Sequence, residues 1–277
     1  MAQFIFSHAN GFPASTYRYY FQALRAAGHE VFAIECIGHD PRYPVSSNWP
    51  GLVEQLAAFT AEKLRDSNQD SWLLGHSLGG YLSMMCAASH AEFLAQGLAG
   101  VIVLDAPIIG GWKAQGLRWL KQSPLVGSLL PGRHSRKRRR KWPDEAAVRA
   151  HFEHKPAFKR WHSNILDDYV RYGTCEAVDP EGQSYRTLCF NRDIETQIYN
   201  TVPDHLESFL FSRSIGCRLA YLSGKQSVEA KRIGLESTRK LLGQIGASAL
   251  IEIPGSHLFP MEHPQETLEQ ILRIVSR

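Results

Sequence analysis

The chain has 277 residues, a hydrophobic fraction of 44%, a charged fraction of 21% and a formal net charge of +4. These values are typical of a folded globular protein, and the length fits one large domain with an inserted subdomain better than two independent domains. No window is apolar enough to span a membrane, the N-terminus lacks a signal-peptide pattern, and five scattered cysteines argue against a disulfide scaffold or a zinc site. We therefore expect a cytoplasmic protein.

Six short apolar runs, each bounded by glycine, proline or polar residues, predict buried strands. They are Gln3–Ser7, Glu30–Ile34, Ser71–Leu74, Gly100–Leu104, Arg218–Ser223 and Ala249–Ile253. Helical patterns lie between or after most of them, at Tyr17–Ala27, Leu52–Arg65, Leu78–Ala88, Ala230–Leu242 and Gln265–Val275. This alternation predicts an α/β fold with a mostly parallel sheet of about six strands flanked by helices.

The alternation stops between Ile108 and Gly216, where helical and loop patterns continue without a convincing buried strand. A structureless loop of that length is implausible, so the segment is interpreted as an inserted helical cap. The sequence thus predicts a core domain of residues 1–107 and 216–277 and a cap of residues 108–215. Aromatic residues are expected to form the apolar faces of the cap, namely Trp112, Trp119, Trp142, Phe152, Trp161, Tyr169, Tyr172, Phe209 and Phe211.

The most informative motif is Gly75-His76-Ser77-Leu78-Gly79, which lies between a predicted strand and a predicted helix. A serine at such a sharp turn is typical of a nucleophile elbow, which requires small neighbours so that strand and helix can approach closely. The alternative is a glycine-rich turn without catalytic function. The position between strand and helix favours Ser77 as the nucleophile of a serine hydrolase.

A serine nucleophile needs a base, and His257 follows the last predicted strand, at the sheet edge where the elbow also opens. Backbone N–H groups must then stabilise the negative charge that develops on a carbonyl oxygen. We expect Leu78 to provide one of these N–H groups. The loop Ser7-His8-Ala9-Asn10-Gly11-Phe12-Pro13 provides the other, with Phe12 as the expected donor. For the Asn10 side chain, both a contribution to this hole and a turn-stabilising role remain open.

With these motifs the chain resembles the α/β-hydrolase superfamily, and more narrowly its bacterial serine-nucleophile members with a His-Ala-Asn-Gly-Phe-Pro oxyanion loop. The elbow Gly75–Gly80, that loop, the Gly-Ser-His-Leu-Phe-Pro-Met-Glu segment around His257 and the alternating core carry the resemblance. Members commonly have His-Gly-x-Pro in the loop, whereas this chain has Asn10 in place of the histidine. The resemblance also puts the second oxyanion donor at Phe12.

The resemblance implies a triad acid, which most members carry as an aspartate after the penultimate strand. Ser227 occupies that position here, and a serine cannot supply a negative charge. Certain haloalkane dehalogenases instead place the acid after the strand that follows the elbow helix, which corresponds to Asp105. Asp105 is therefore the predicted acid and Glu229 the alternative; a turn-forming role before Pro107 is the non-catalytic interpretation of Asp105.

The implied function is hydrolysis of a small to medium, partly apolar carboxylic ester or related acyl compound through a Ser-His-Asp triad and an acyl-enzyme. It is esterase-like or lipase-like and needs no metal or organic cofactor. A serine nucleophile disfavours dehalogenase and epoxide hydrolase activity, while thioester, amide and carbon–carbon cleavage and acyl transfer stay open. The alternative function is a ligand-binding or regulatory protein on the same scaffold, with little turnover. No pattern indicates an oligomeric state.

One basic run, Arg136–Lys141, lies in the predicted cap. Such a run attracts anionic substrates, lipid surfaces or nucleic acids, but without interleaved aromatic residues it is interpreted as a solvated helix face. No nucleic-acid partner is therefore expected. His151 and His154 have one-turn helical spacing, but no further ligands complete a metal site.

Overall fold

The computed structural model describes residues 1–122, 132–233, 235–247 and 249–276. Within these ranges six strands form the main sheet: β1 (Ala2–Ser7), β2 (Glu30–Ala33), β3 (Asp70–His76), β4 (Leu98–Leu104), β7 (Arg218–Gly224) and β8 (Ala249–Ile253). Their order is β2-β1-β3-β4-β7-β8, and every neighbouring pair is parallel. The predicted α/β class with a parallel sheet of about six strands is confirmed.

The described helices are numbered in chain order. They are α1 (Arg18–Ala26), α2 (Pro50–Arg65), α3 (Leu78–Ser89), α4 (Glu92–Ala95), α5 (Gly111–Gln122), α6 (Gly132–Arg136), α7 (Glu145–Glu153), α8 (Ser163–Tyr172), α9 (Arg192–Asn200), α10 (Leu206–Ser212), α11 (Val228–Ile233), α12 (Leu235–Gln244), α13 (Phe259–Glu262) and α14 (Pro264–Val275). The predicted helix Ala230–Leu242 corresponds to α11 and α12, which lie on either side of position 234, outside the described residues.

The central strands form because their side chains are apolar on both faces, as parallel strands covered by helices on each side require. In β3, Leu73 points into a core formed with α2, α3 and α12, whereas Trp72 and Leu74 point into a core formed with α1 and α14. At the sheet edges only Val31 of β2 and Ile253 of β8 are buried, whereas the four central strands are buried along almost their whole length. This burial explains why apolar runs were sufficient to locate the strands.

The strand order places the candidate site. From β1 the chain moves outward to β2, then returns across β1 to β3, so β1 and β3 are neighbours at the point where the direction of winding reverses. The loops after these two strands diverge to opposite faces of the sheet and leave a crevice at its carboxyl edge, the usual ligand position in such folds. The loop after β1 and the elbow after β3 both lie at this crevice.

Residues 105–217, between β4 and β7, are called the insertion below. They contain helices α5 to α10 and also an antiparallel hairpin, β5 (Thr174–Val178) with β6 (Ser184–Leu188), which the sequence did not predict. Most hairpin residues are polar and only partly buried, so no apolar run marks them. The turn between them includes Gly182 at φ +82°, a conformation that favours glycine.

The aromatic residues of the insertion divide into two groups. Trp142, Phe152, Trp161 and Tyr169 are buried, and they pack with the core on the α1 side of the sheet. Trp112 and Trp119, which were expected to supply an apolar face, are instead 77% and 76% exposed on α5. Of the described helices, none is both long and apolar enough to cross a membrane.

Candidate active site

Ser77 lies at a sharp turn between β3 and α3, with φ +52° and ψ −112°. A non-glycine residue with positive φ is strained, so its neighbours must permit the turn. A Cβ atom on Gly75 would overlap the Gly79 carbonyl oxygen, and one on Gly79 would overlap the Ser7 carbonyl oxygen. The glycines of the motif are therefore required by backbone contact, and the Ser77 hydroxyl is presented at the carboxyl edge of the sheet.

The structure brings Ser77, His257 and Asp105 into one hydrogen-bonded series. The Ser77 Oγ lies 2.9 Å from Nε2 of His257, and Nδ1 of His257 lies 2.7 Å from Oδ2 of Asp105. Because a carboxylate accepts, Nδ1 carries the proton, and Nε2 is left to accept from the serine hydroxyl. These are the contacts that a nucleophile, a base and an orienting acid need.

Asp105 follows β4 directly, has φ +46° and is fully buried. Besides His257, its carboxylate accepts hydrogen bonds from the Ser227 hydroxyl at 2.6 Å and from the Gly224 N–H at 3.3 Å. Ser227 is the residue at the position where an aspartate was expected. It therefore contacts the acid, and its hydroxyl satisfies a lone pair that burial would otherwise leave without a partner.

Glu229, the alternative acid, lies in the first turn of α11 and makes no hydrogen bond or ion pair with His257 in the described contacts. It lines the cavity in front of Ser77 and acts on His257 only through its charge. The geometry therefore favours Asp105 over Glu229 as the residue that orients the histidine.

Burial and nearby negative charge have opposite effects on the pKa of His257. Burial alone lowers the pKa of this imidazole, but the hydrogen bond and negative charge of Asp105, with a smaller contribution from the charge of Glu229, outweigh it. The net result is a pKa above the ordinary histidine value, because the carboxylate stabilises the protonated ring. A base of this kind accepts a proton more readily than a free imidazole.

His76, the residue before Ser77, joins three segments of the site. Its Nε2 donates to the His257 carbonyl oxygen at 3.0 Å, so its Nδ1 must accept from the Tyr17 hydroxyl at 2.7 Å. The Tyr17 oxygen in turn accepts the Ala9 N–H at 3.2 Å. Burial lowers the pKa of His76 to about 3, so the ring is neutral and the direction of every hydrogen bond in the series is fixed.

The loop after β1 differs from the expectation. The Phe12 N–H donates to the Ala9 carbonyl oxygen at 3.1 Å, and the same oxygen contacts Nδ1 of His8 at 2.8 Å. Gly11, at φ +79°, closes this turn. The N–H of Phe12, the expected second oxyanion donor, thus donates within the turn, and from this loop it is Asn10 that lines the cavity.

Leu78 and Asn10 both line the cavity, and each carries a backbone N–H group. Leu78 N–H begins helix α3, where the helix dipole favours negative charge, and Asn10 N–H belongs to the turn opposite. Neither donates a hydrogen bond within the part of the chain that the structure describes. The Asn10 side chain is engaged elsewhere, since its Nδ2 donates to the Glu195 carbonyl oxygen at 3.0 Å.

The cavity in front of Ser77 has a volume of about 480 Å³. Most of its lining is apolar, with a carboxylate and a guanidinium from α11. The lining residues are Asn10, Trp49, Ser77, Leu78, Tyr81, Pro107, Ile109, Leu117, Ile198, Tyr199, Val202, Glu229, Arg232, Ile233 and His257. Core and insertion thus contribute to the same cavity, which has the size and character of a small-molecule site.

The basic run Arg136–Lys141 is not a uniform solvated helix face. Helix α6 ends at Arg136, and most of the run lies in irregular structure after it. Arg138 turns inward and contacts the Glu195 carboxylate at 2.7 Å, while Lys141 pairs at the surface with Asp179 at 2.9 Å. The remaining four basic residues are exposed, namely Arg136, Lys137, Arg139 and Arg140.

No group of three or more potential metal ligands occurs among the residues that the structure describes. The two histidines with one-turn helical spacing, His151 and His154, contact different residues. The ring of His151 packs against Trp142 and Phe152, whereas His154 lies within 3.8 Å of Glu153 at the surface.

Substitution of Gly79 by alanine is expected to lower the free energy of unfolding by at least about 3 kcal/mol, because the new methyl group overlaps the Ser7 backbone and forces α3 away from β1. The matched control is Gly243→Ala in α12, where a Cβ atom meets nothing within 4 Å. That change should stabilise the protein by about 0.5 to 1 kcal/mol. Urea unfolding of both variants measures the difference; equal stabilities would contradict the required contact.

Solved structures of other proteins have the same fold as this chain. The chain is similar to the peroxisomal alpha-beta-hydrolase Lpx1 from Saccharomyces cerevisiae, with a TM-score of 0.72 and 17% identity over 99% of this chain and 76% of that chain. It is similar to E-2-(acetamidomethylene)succinate hydrolase, with a TM-score of 0.71 and 17% identity over 100% and 92% of the two chains. A thioesterase domain from the curacin biosynthetic pathway gives a TM-score of 0.65 and 15% identity over 98% and 90%.

At these identities the structural similarity shows the fold alone. No curated protein sequence matches the chain. A family model described as the alpha/beta hydrolase family matches residues 4–270, which is nearly the whole chain. The family resemblance drawn from the motifs is thereby confirmed, and the protein belongs to the alpha/beta hydrolase family.

Proposed function

We propose that this hydrolase cleaves a carboxylic ester or a related acyl compound through a Ser77–His257–Asp105 triad. The observation that carries the proposal is the hydrogen-bonded series from the Ser77 hydroxyl through the imidazole to the buried carboxylate. It is supported by the raised pKa of His257 and by the cavity that opens on Ser77.

In the proposed reaction, the Ser77 oxygen attacks the substrate carbonyl carbon while its proton passes to Nε2 of His257. Asp105 keeps the ring oriented and stabilises the imidazolium that forms. The tetrahedral oxyanion accepts hydrogen bonds from the Leu78 N–H and from the Asn10 N–H, which replaces Phe12 in this role. When the tetrahedral intermediate collapses, the leaving group takes the proton from Nε2, and an acyl-enzyme remains on Ser77.

A water molecule then repeats the sequence. It attacks the acyl carbon as its proton passes to Nε2, and collapse of the second intermediate returns that proton to the Ser77 oxygen and releases the acid. We propose that residues 108–215 act as the cap over this reaction, because Leu117, Ile198 and Val202 supply apolar walls of the cavity. Its volume suits a small to medium, partly apolar acyl compound.

Labelling by a fluorophosphonate probe tests the nucleophile. The wild-type protein should be labelled and should hydrolyse p-nitrophenyl butyrate, and Ser77→Ala should lose both signals because no other group supplies the attacking oxygen. Ser208→Ala, at an exposed position on α10, is the matched control and should keep both. A folded wild-type protein that is neither labelled nor active would contradict the proposal and favour a ligand-binding protein on the same scaffold.

A pair of isosteric changes tests the acid. Asp105→Asn should lower kcat for p-nitrophenyl butyrate by about 10³- to 10⁴-fold, because an amide no longer stabilises the protonated histidine. Glu229→Gln should lower kcat by less than about tenfold, since Glu229 acts through its charge at a distance. The assignment of Asp105 would be wrong if only the change at Glu229 abolished hydrolysis.

The pH dependence of kcat/KM follows from the state of His257. Neutral imidazole is the reactive form, so activity rises as pH increases through the pKa of His257; because that pKa is raised, the midpoint of the acid limb should lie above pH 6.5. Glu229→Gln removes one of the charges that raise the pKa and should move the midpoint to lower pH. Burial lowers the pKa of His8 to about 4 and of His76 to about 3, so neither contributes to this limb.

A buffer series from pH 5 to 9 at constant ionic strength provides the measurement. A midpoint at or below pH 6.5, or an upward shift in Glu229→Gln, would contradict the electrostatic account of His257.

A further inference from the structure

One member of the basic run, Arg138, leaves its neighbours at the surface and enters the protein. Both Glu195 carboxylate oxygens lie 2.7 Å from the same guanidinium nitrogen, and a second nitrogen donates to the Tyr169 hydroxyl at 2.7 Å. The side chain of Glu195 is only 5% exposed and that of Arg138 22%. An ion pair so little exposed is costly to form, because both charged groups lose contact with water. Attraction between surface charges therefore does not explain why Arg138 turns inward.

The pair lies directly against the loop after β1. A Cβ atom on Gly11 would come within 2.9 Å of the Arg138 guanidinium and equally close to the Glu195 carboxylate. The backbone carbonyl of Glu195 also accepts the Asn10 side-chain amide at 3.0 Å. The two charged groups and one carbonyl therefore contact the Asn10–Gly11 turn from the side of the insertion.

Other contacts hold the pair itself in place. Glu195 belongs to the first turn of α9, whose N-cap residue Asn191 accepts the Glu195 N–H at 2.9 Å. Helix α6, just before Arg138, is joined to α9 by a hydrogen bond of 2.6 Å between the hydroxyls of Ser135 and Thr196. The guanidinium and the carboxylate thus come from two neighbouring segments that are joined to each other. Together they limit how far the Asn10–Gly11 turn can move toward the insertion.

We propose that Arg138 and Glu195 are positioning residues that hold the Asn10–Gly11 turn where the Asn10 N–H meets the developing oxyanion. The inference rests on the proposed serine-hydrolase function. Its physical reason is that an oxyanion donor is effective only when held at hydrogen-bond distance from the charge that forms, and small displacements cost large factors in rate. Neither residue touches the substrate.

The test compares Arg138→Met with Arg140→Met, a matched change in the same run at an exposed side chain that contacts no part of the loop in the described structure. With p-nitrophenyl butyrate, Arg138→Met should lower kcat by about 10- to 100-fold and leave KM within about threefold, because the loss is confined to the transition state. Arg140→Met should match the wild type. An alkyl boronic acid, which forms a tetrahedral adduct with an active serine, should inhibit Arg138→Met more weakly by a factor similar to the loss in kcat/KM.

The double variant Arg138→Met with Glu195→Leu separates positioning from stability. Removal of both charges avoids the unpaired buried carboxylate that Arg138→Met creates, so the melting temperature should recover toward that of the wild type. The turn still lacks its contacts with the guanidinium and the carboxylate, and kcat should stay low. Recovery of kcat together with the melting temperature would overturn the inference, as would a kcat for folded Arg138→Met within twofold of the wild type.

Failure of the inference and failure of the proposed function give different results. If Ser77→Ala abolishes hydrolysis and Arg138→Met does not affect it, the nucleophile stands and the positioning role is wrong. If Ser77→Ala retains hydrolysis, the proposed function itself is wrong.

Discussion

The buried carboxylate of Asp105 is the group on which the arrangement of the site depends. It follows β4, and it accepts hydrogen bonds from the loop after β7, through Ser227 and Gly224, and from the loop after β8, through His257. A carboxylate removed from water must keep such partners, because the loss of one costs far more than an exposed hydrogen bond gains. Three neighbouring strand ends are thereby held in one relative position, and the imidazole with them.

The loop after β1 is contacted by different kinds of groups from the core and from the insertion. From the core, neutral groups hold the loop after β1: the Tyr17–His76 series reaches Ala9, and the elbow N–H of Gly79 donates to the His8 carbonyl oxygen at 3.2 Å. From the insertion, a charged pair contacts the same loop. The core contacts persist in the neutral pH range because burial lowers the pKa of His8 to about 4 and of His76 to about 3, whereas the outer contact depends on a salt bridge.

Sequence reasoning succeeded where the physical signal is local. Buried parallel strands need apolar runs, and a turn at positive φ with close backbone contacts needs glycine, so the sheet and the elbow around Ser77 were both visible in the residues. The structure also brings Asp105 and His257 to this elbow, as the order of strand ends suggested. That Ser227 would donate to Asp105 was not foreseeable, because it requires knowing that two loops converge.

The features that the sequence did not reveal share a physical cause. They depend on contacts within a turn or between residues that are far apart in the sequence. The position of Phe12 in the sequence did not reveal that its N–H bonds within the turn, because that bond depends on the backbone conformation of Gly11. Arg138 looked solvated because composition cannot reveal a carboxylate 57 residues away. The hairpin β5–β6 lacked any apolar pattern because its residues are half exposed.

The order of these residues along the chain has a consequence for biosynthesis. Ser77, Asp105 and the loop after β1 all precede α5, whereas His257 follows β8, an edge strand that pairs with β7 alone in the described sheet. A nascent chain that has left the ribosome only as far as β7 holds the nucleophile and the acid but no base. Under the proposed roles, acyl hydrolysis therefore begins only when translation has passed β8 and this last strand has docked.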